Sequence, residues 1–217
     1  MPTVTPRYGA VFLIWILSAW TAYVFGLYPW VARLSEPSST AVNEFVRFFV
    51  FGAPVLWAYR SRSAASAGWI GFSEPASGAL RTGLVVALAF SLVASSIAVW
   101  ELHRSFKPAL IPVRFWFTGF SVSTVIEELA FRSMLFSAFA RWPRYFTVVL
   151  SSAAFAAIHF PGWLVSSVHP SGMAWITNTS SIFLLGCVLG IVYLSTRSIW
   201  ATTFIHAANN LVAALFV

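Results

Sequence analysis

Residues 115–140 read FWFTGFSVSTVIEELAFRSMLFSAFA, a run that is apolar except for Glu127, Glu128 and Arg132. A helix of about 20 residues crosses the hydrocarbon core of a bilayer, so this stretch is long enough to span one. An ionisable group at mid-depth costs at least ~2.5–3.5 kcal/mol on insertion scales. Three of them are tolerated only if they face the interior of a bundle of helices. The run therefore implies neighbours, and the rest of the chain must supply them.

It does. Of 217 residues, 59% are apolar or aromatic and 9% are charged, with a mean hydropathy of +0.81. Soluble domains carry roughly 25% charge. Thirteen Lys and Arg with six acids cannot coat a globule of this size, which excludes a soluble enzyme, a disordered tail and a disulfide scaffold. At about 20 residues per crossing, the length allows about six to eight helices and no separate aqueous domain. The class is an all-α, polytopic transmembrane bundle.

Working outward from 115–140, the apolar runs give spans at 8–28, 41–59, 82–100, 115–140, 145–160, 176–194 and 198–217. The first is too long for a signal-peptide core and reads as a retained helix. The second carries Glu44 and Arg47 near its start and is the one that could be re-entrant or interfacial. Residues 60–81 read as an extramembrane loop, and 101–114 as a charged connection with two prolines. Arg141 to Arg144 make a tight basic hairpin, and Pro161-Gly162 is expected to stop the fifth span. This divides one integral-membrane domain into N-terminal helices at 1–114, of unassigned role, and a four-helix core at 115–217.

The net charge of +7 does not indicate nucleic acid, because the basic residues flank apolar runs, where they anchor helices against headgroups. With seven spans, Arg7, Arg60, Arg62, Arg81, Arg141, Arg144 and Arg197 fall on one face. Arg33, Arg47, Arg104, Lys107 and Arg114 fall on the other, which favours a cytoplasmic N-terminus. Gly186 and Gly190 form a small-residue patch expected to pack within the bundle. Cys187 is alone and can form neither an internal disulfide nor a thiolate cluster.

Three polar groups lie where lipid forbids them. Glu128 and Arg132 are one helical turn apart and can pair, whereas Glu127 projects about 100° away from Glu128. Glu128 and Arg132 therefore read as a buried pair, and Glu127 as the carboxylate left over. His159 ends the fifth span. His206 and Asn210 are i and i+4 in the last, able to hold one oxygen between them. Glu127 lies fourteen residues before Arg141 and His159 fourteen after Tyr145, so both lie ~21 Å from the hairpin face. Asn210 and His206 lie ~18 and ~12 Å from that face. Four scattered polar residues share one narrow band of depth.

The chain contains no Asp, which excludes a two-aspartate protease, and no His-Glu-x-x-His motif, which removes the membrane zinc proteases of that type. Gly119-Phe120-Ser121 lacks the following glycine of a nucleophile elbow. Two mechanisms remain. In one, Glu127 takes a proton from a water that His159 helps to position, while His206 and Asn210 donate to the oxyanion. In the other, Glu127, His159 and His206 are three ligands of a catalytic zinc with an open fourth position.

Glu-Glu-x-x-x-Arg (127, 128, 132), Phe-x-x-x-His (155, 159) and His-x-x-x-Asn (206, 210), in that order, resemble the CPBP group of intramembrane proteases. That group includes CAAX-prenyl endopeptidases of the Rce1 type and bacterial Abi proteins linked to bacteriocin processing or self-immunity. The wording at Phe183-Leu-Leu-Gly-Cys-Val-Leu-Gly190 and Ser198-Ile-Trp-Ala-Thr-Thr-Phe-Ile-His206 is similar too. The resemblance covers about 115–215. It implies Glu127 as base, His159 as its partner, and His206 with Asn210 as oxyanion hole. No cofactor is then expected, zinc being the alternative.

The implied partner is a membrane-anchored protein or peptide, cut near its C-terminus or leader. Twelve Arg against one Lys, with abundant Ala, suggest a high-GC bacterium and hence the inner membrane. A proton-coupled transporter or a non-catalytic scaffold could use the same buried Glu and His residues. The transporter reading lacks an internal repeat.

Overall fold

The computed structural model describes residues 5–60, 77–101, 103–108, 111–165 and 172–216. Among them the chain forms seven helical segments. These are α1 (Pro6–Val31), α2 (Glu36–Arg60), α3 (Ser77–Glu101), α4 (113–138), α5 (Arg144–Val165), α6 (Met173–Thr196) and α7 (Ile199–Leu215). Five of them, α1, α2, α3, α5 and α6, are long and apolar enough to cross a membrane. The other two fall short for identifiable reasons. α4 carries Arg114, Glu127, Glu128 and Arg132, and α7 has 17 residues. The expected seven helices are present, and five meet the requirements of a span on their own.

Two local expectations change. The weak second span is part of a 25-residue helix, and its charges lie near the middle of that helix rather than at its edge. The fifth helix does not stop at Pro161-Gly162. It breaks earlier, at Ile158 and His159, and resumes over Phe160–Val165. Proline in the first turn of a helix loses no intrahelical hydrogen bond, so Pro161 starts this piece instead of ending the previous one. The break is pinned from α1, where the Trp20 indole donates to the Ile158 carbonyl at 2.8 Å. Of the expected loops, 61–76 and 166–171 lie outside the described residues.

Small residues set the closest packing. A Cβ on Gly186 would meet Ser152 Cβ at 2.9 Å, and one on Gly190 would meet Phe136 and Val148 at 3.2 Å. The glycine patch thus seats α6 against α5 and α4, inside the bundle. Gly83 lets α3 press on α7, where a Cβ would come within 2.7 Å of the Ala201 backbone. In lipid, helices associate through such close contacts and interhelical hydrogen bonds.

Widened π-type turns supply the acceptors for those bonds. The Val50 carbonyl, in Phe48–Gly52, accepts from the Trp15 indole at 3.0 Å. The Phe131 carbonyl, in Leu129–Met134, accepts from Ser151 at 2.8 Å. In Thr118–Val122 the Gly119 carbonyl accepts from the Asn210 amide at 2.7 Å. Such turns interrupt the i→i−4 ladder and tend to occur at functional sites. Two of the three flank the short α-helical piece Ser123–Glu128 that carries both glutamates.

Candidate active site

Glu127 and Glu128 are neighbours in sequence and face different surroundings. Glu128 is fully buried, as is Arg132 one turn later, and their Oε2 and Nε atoms lie 3.4 Å apart. The Arg132 guanidinium is held further by the Gly186 carbonyl, 3.3 Å from Nη2, and by the face of Phe155, 4.6 Å away. The other Glu128 oxygen, Oε1, lies 2.9 Å from His206 Nδ1. The pair expected from spacing is present, and it does more than tie α4 to α6. It also anchors an imidazole.

That anchoring sets the direction of His206. A carboxylate only accepts, so His206 Nδ1 carries the shared proton and Nε2 points away from Glu128. Nε2 faces Glu127 Oε2 across 3.8 Å. This gap is too long for a direct hydrogen bond and suits one bridging water. The edge of the imidazole also meets the Phe155 ring, with centroids 5.3 Å apart.

His159 sits at the break in α5, where its Nδ1 lies 2.8 Å from the Phe155 carbonyl. By the same reasoning Nδ1 carries the proton, which leaves Nε2 as the acceptor of the neutral ring. Its ring packs edge-on against Phe155 at 5.2 Å. Phe155 therefore lies between the two histidines and fixes both. The break in the helix is what turns His159 out of the regular ladder.

Asn210 is engaged one turn beyond His206. Its Nδ2 donates to Gly119 at 2.7 Å, and its Oδ1 accepts from Asn209 at 3.4 Å. One amide proton of Asn210 is spent on that carbonyl, leaving one for another acceptor. Glu127, Glu128, Arg132 and His206 form one connected set, and His159 joins it through Phe155. Asn210 is tied to the neighbouring turn of α4.

Sequence reasoning missed one whole contribution. Arg47, in α2, brings Nη1 to 3.6 Å from Glu127 Oε1 and 3.9 Å from Glu44 Oε1. Ser123 donates to both Glu44 oxygens, at 3.1 and 3.0 Å. Arg47 was counted with the loops and belongs instead to the interior, so the basic count on its face falls by one. Two signals were available. Two adjacent carboxylates had only Arg132 opposite them. Arg47 also lies thirteen residues before Arg60, ~20 Å deep, level with Glu127.

Among the described residues no group of three His, Cys, Asp or Glu side chains is placed to hold an ion. His206 and His159 each engage Nδ1, with Glu128 and with a backbone carbonyl, and each keeps Nε2 for another partner.

Residues 108–212 match the model of a family described as Rce1-like, type II CAAX prenyl endopeptidase. The matched segment contains Glu127, Glu128, Arg132, His159, His206 and Asn210, and it leaves out Glu44 and Arg47. No curated protein and no solved structure matches the chain.

Proposed function

We propose, from the match of residues 108–212 to the Rce1-like family model, that the chain is a member of that family and an intramembrane endopeptidase working by glutamate-activated water. The observation that carries the reading is the pair of facing atoms, Glu127 Oε2 and His206 Nε2, 3.8 Å apart in the interior of a membrane bundle. Glu127 Oε2 accepts one proton of a water held there, and the Nε2 lone pair of His159 accepts a hydrogen bond from the other. The water oxygen attacks the scissile carbonyl carbon, and the carbonyl π electrons move to oxygen. His206, held through Nδ1 on Glu128, donates from Nε2 to that oxyanion, together with the remaining amide proton of Asn210. Collapse of the tetrahedral intermediate breaks the C–N bond, and the Glu127 acid returns its proton to the leaving amine.

Deep burial favours this chemistry, because a developing charge is stabilised more by fixed donors in a dry site than in water. It also restricts the substrate. A peptide bond reaches the middle of the bundle only if its chain is anchored in the bilayer. The substrate class is therefore a membrane-anchored protein or peptide, and the setting we propose is a bacterial inner membrane. A transporter or scaffold finds no observation in its favour here.

The test is cleavage by the full chain in proteoliposomes. Two internally quenched peptide sets serve as probes, one farnesylated near a C-terminal Cys-aliphatic-aliphatic-X sequence, the other unprenylated with an apolar transmembrane segment. Mass spectrometry should find a new carboxylate terminus at a defined bond, chiefly in the unprenylated set. Failure of folded protein to cut either set contradicts the proposal. Hydrolysis is expected to proceed without a tightly bound metal. Elemental analysis finding stoichiometric zinc, lost in His159→Ala and His206→Ala, would replace the water-only route with a Lewis-acid one.

A further inference from the structure

The family segment supplies the base but not the group that holds it. We propose that Arg47, on α2 and outside the matched residues, is a positioning residue that holds Glu127 Oε1 and so presents Oε2 to the water. This rests on the reading of Glu127 as base. The two oxygens of Glu127 have different neighbours: Oε1 lies 3.6 Å from Arg47 Nη1 and Oε2 lies 3.8 Å from His206 Nε2. A carboxylate without the first contact is free to rotate, and either oxygen could then face His206. Fixing one oxygen on a guanidinium selects the other for the proton.

Arg47 is itself held on two further sides. Glu44 lies one turn before it, with Ser123 of α4 donating to both Glu44 oxygens. The Arg47 guanidinium also lies 5.6 Å over the ring of Trp20, a cation–π contact from α1. Trp20 is the same side chain that donates to Ile158 at the break next to His159. One aromatic residue of the N-terminal half thus braces both the holder of Glu127 and the turn that presents His159.

The charges explain why two carboxylates share one guanidinium. Glu127 becomes neutral each time it takes the proton. Arg47 would then be an uncompensated cation inside a membrane, were Glu44 not beside it. Glu44 keeps Arg47 paired through the half of the cycle in which Glu127 is protonated, and Arg47 needs little movement to serve both. Arg132 cannot play this part, since it faces Glu128.

The test uses the full chain in proteoliposomes and the unprenylated transmembrane peptide as probe, at matched folded fraction. Arg47→Gln should lower kcat about 10²-fold with KM within about twofold, as expected for a misplaced reacting group. Arg47→Lys keeps the charge and should recover a large part of that loss. A purely structural Arg47 would lower the melting temperature and leave kcat per folded molecule unchanged, which overturns the proposal. Should Arg47→Gln fold poorly, Glu44→Gln gives the second reading, with an expected drop in kcat and no change in KM. Glu127→Gln separates the two claims. If it is inactive while Arg47→Gln turns over like wild type, the positioning role fails and the base stands. If Glu127→Gln is active, the base assignment itself fails.

Discussion

α1 to α3 and α4 to α7 are built from similar apolar material and use it in opposite ways. The most apolar stretches of α1, α2 and α3 are only 22, 28 and 17% buried, against 44 and 33% for α5 and α6. The early helices turn Trp30, Trp57, Leu88, Leu92 and Trp100 outward. The later ones bury Glu128, Arg132, Ser133, Ser151, Ser152, Thr202 and His206. In water the apolar side of a helix faces in. In lipid apolarity does not discriminate, and it is the polar and small residues that mark the interior. The comparison also has an exception. α2 belongs to the lipid-facing half and yet delivers Arg47 and Glu44 to the site of the other half.

The largest expected effect breaks the polar interior directly. Removing one partner of a buried charge pair costs ~3–5 kcal/mol, because the other is left uncompensated. Glu128→Ala and Arg132→Ala should each lose stability of that order in detergent melts. If both melt like wild type yet lose activity, the pair acts in the chemistry alone and its structural role is refuted. Next comes the amide pair of α7. Removing an oxyanion donor typically costs ~10²–10³ in turnover, about 2.7–4 kcal/mol. Asn210→Ala should show this loss with substrate capture intact, and Asn209→Ala much less, since the Asn209 amide donates to Asn210 Oδ1. The reverse order would mean that the roles of the two amides are exchanged.

The smallest effects sharpen the contrast between packed and lipid-facing positions. Gly83→Val forces a side chain into the Ala201 backbone and should cost about 1–3 kcal/mol by overpacking. Leu88→Ala, on the outward face of the same helix and 63% exposed, should stay within about 0.5 kcal/mol. Equal effects at the two positions in unfolding titrations would remove the distinction drawn between the faces of α3.

Much of this was legible before the structure. Apolar runs give the helices because each must satisfy its own backbone in lipid, so length and continuity suffice to find them. The Glu128–Arg132 pair followed from one helical turn, and the shared depth of Glu127, His159 and His206 from counting residues. What escaped was of a different kind. The break at His159 depends on a hydrogen bond from Trp20, distant in sequence, and Pro161-Gly162 was the stronger local signal. The engagement of Asn210 depends on a widened turn in α4 that no periodicity announces. Arg47 was seen and discounted, because a charge near the start of a weak span reads as a boundary. Its place near the middle of a 25-residue helix and its contact with Glu127 show that the boundary reading was the wrong one.

The central claim is that Glu127 is the base, and one substitution addresses it with the least ambiguity. Glu127→Gln keeps the size and hydrogen-bonding shape of the side chain and removes its capacity to accept a proton. Turnover of the transmembrane peptide probe by this variant, in proteoliposomes and at wild-type melting temperature, is the measurement. The account predicts loss of cleavage in a protein that is inserted and folded as before. Cleavage at the wild-type rate by folded Glu127→Gln would contradict it.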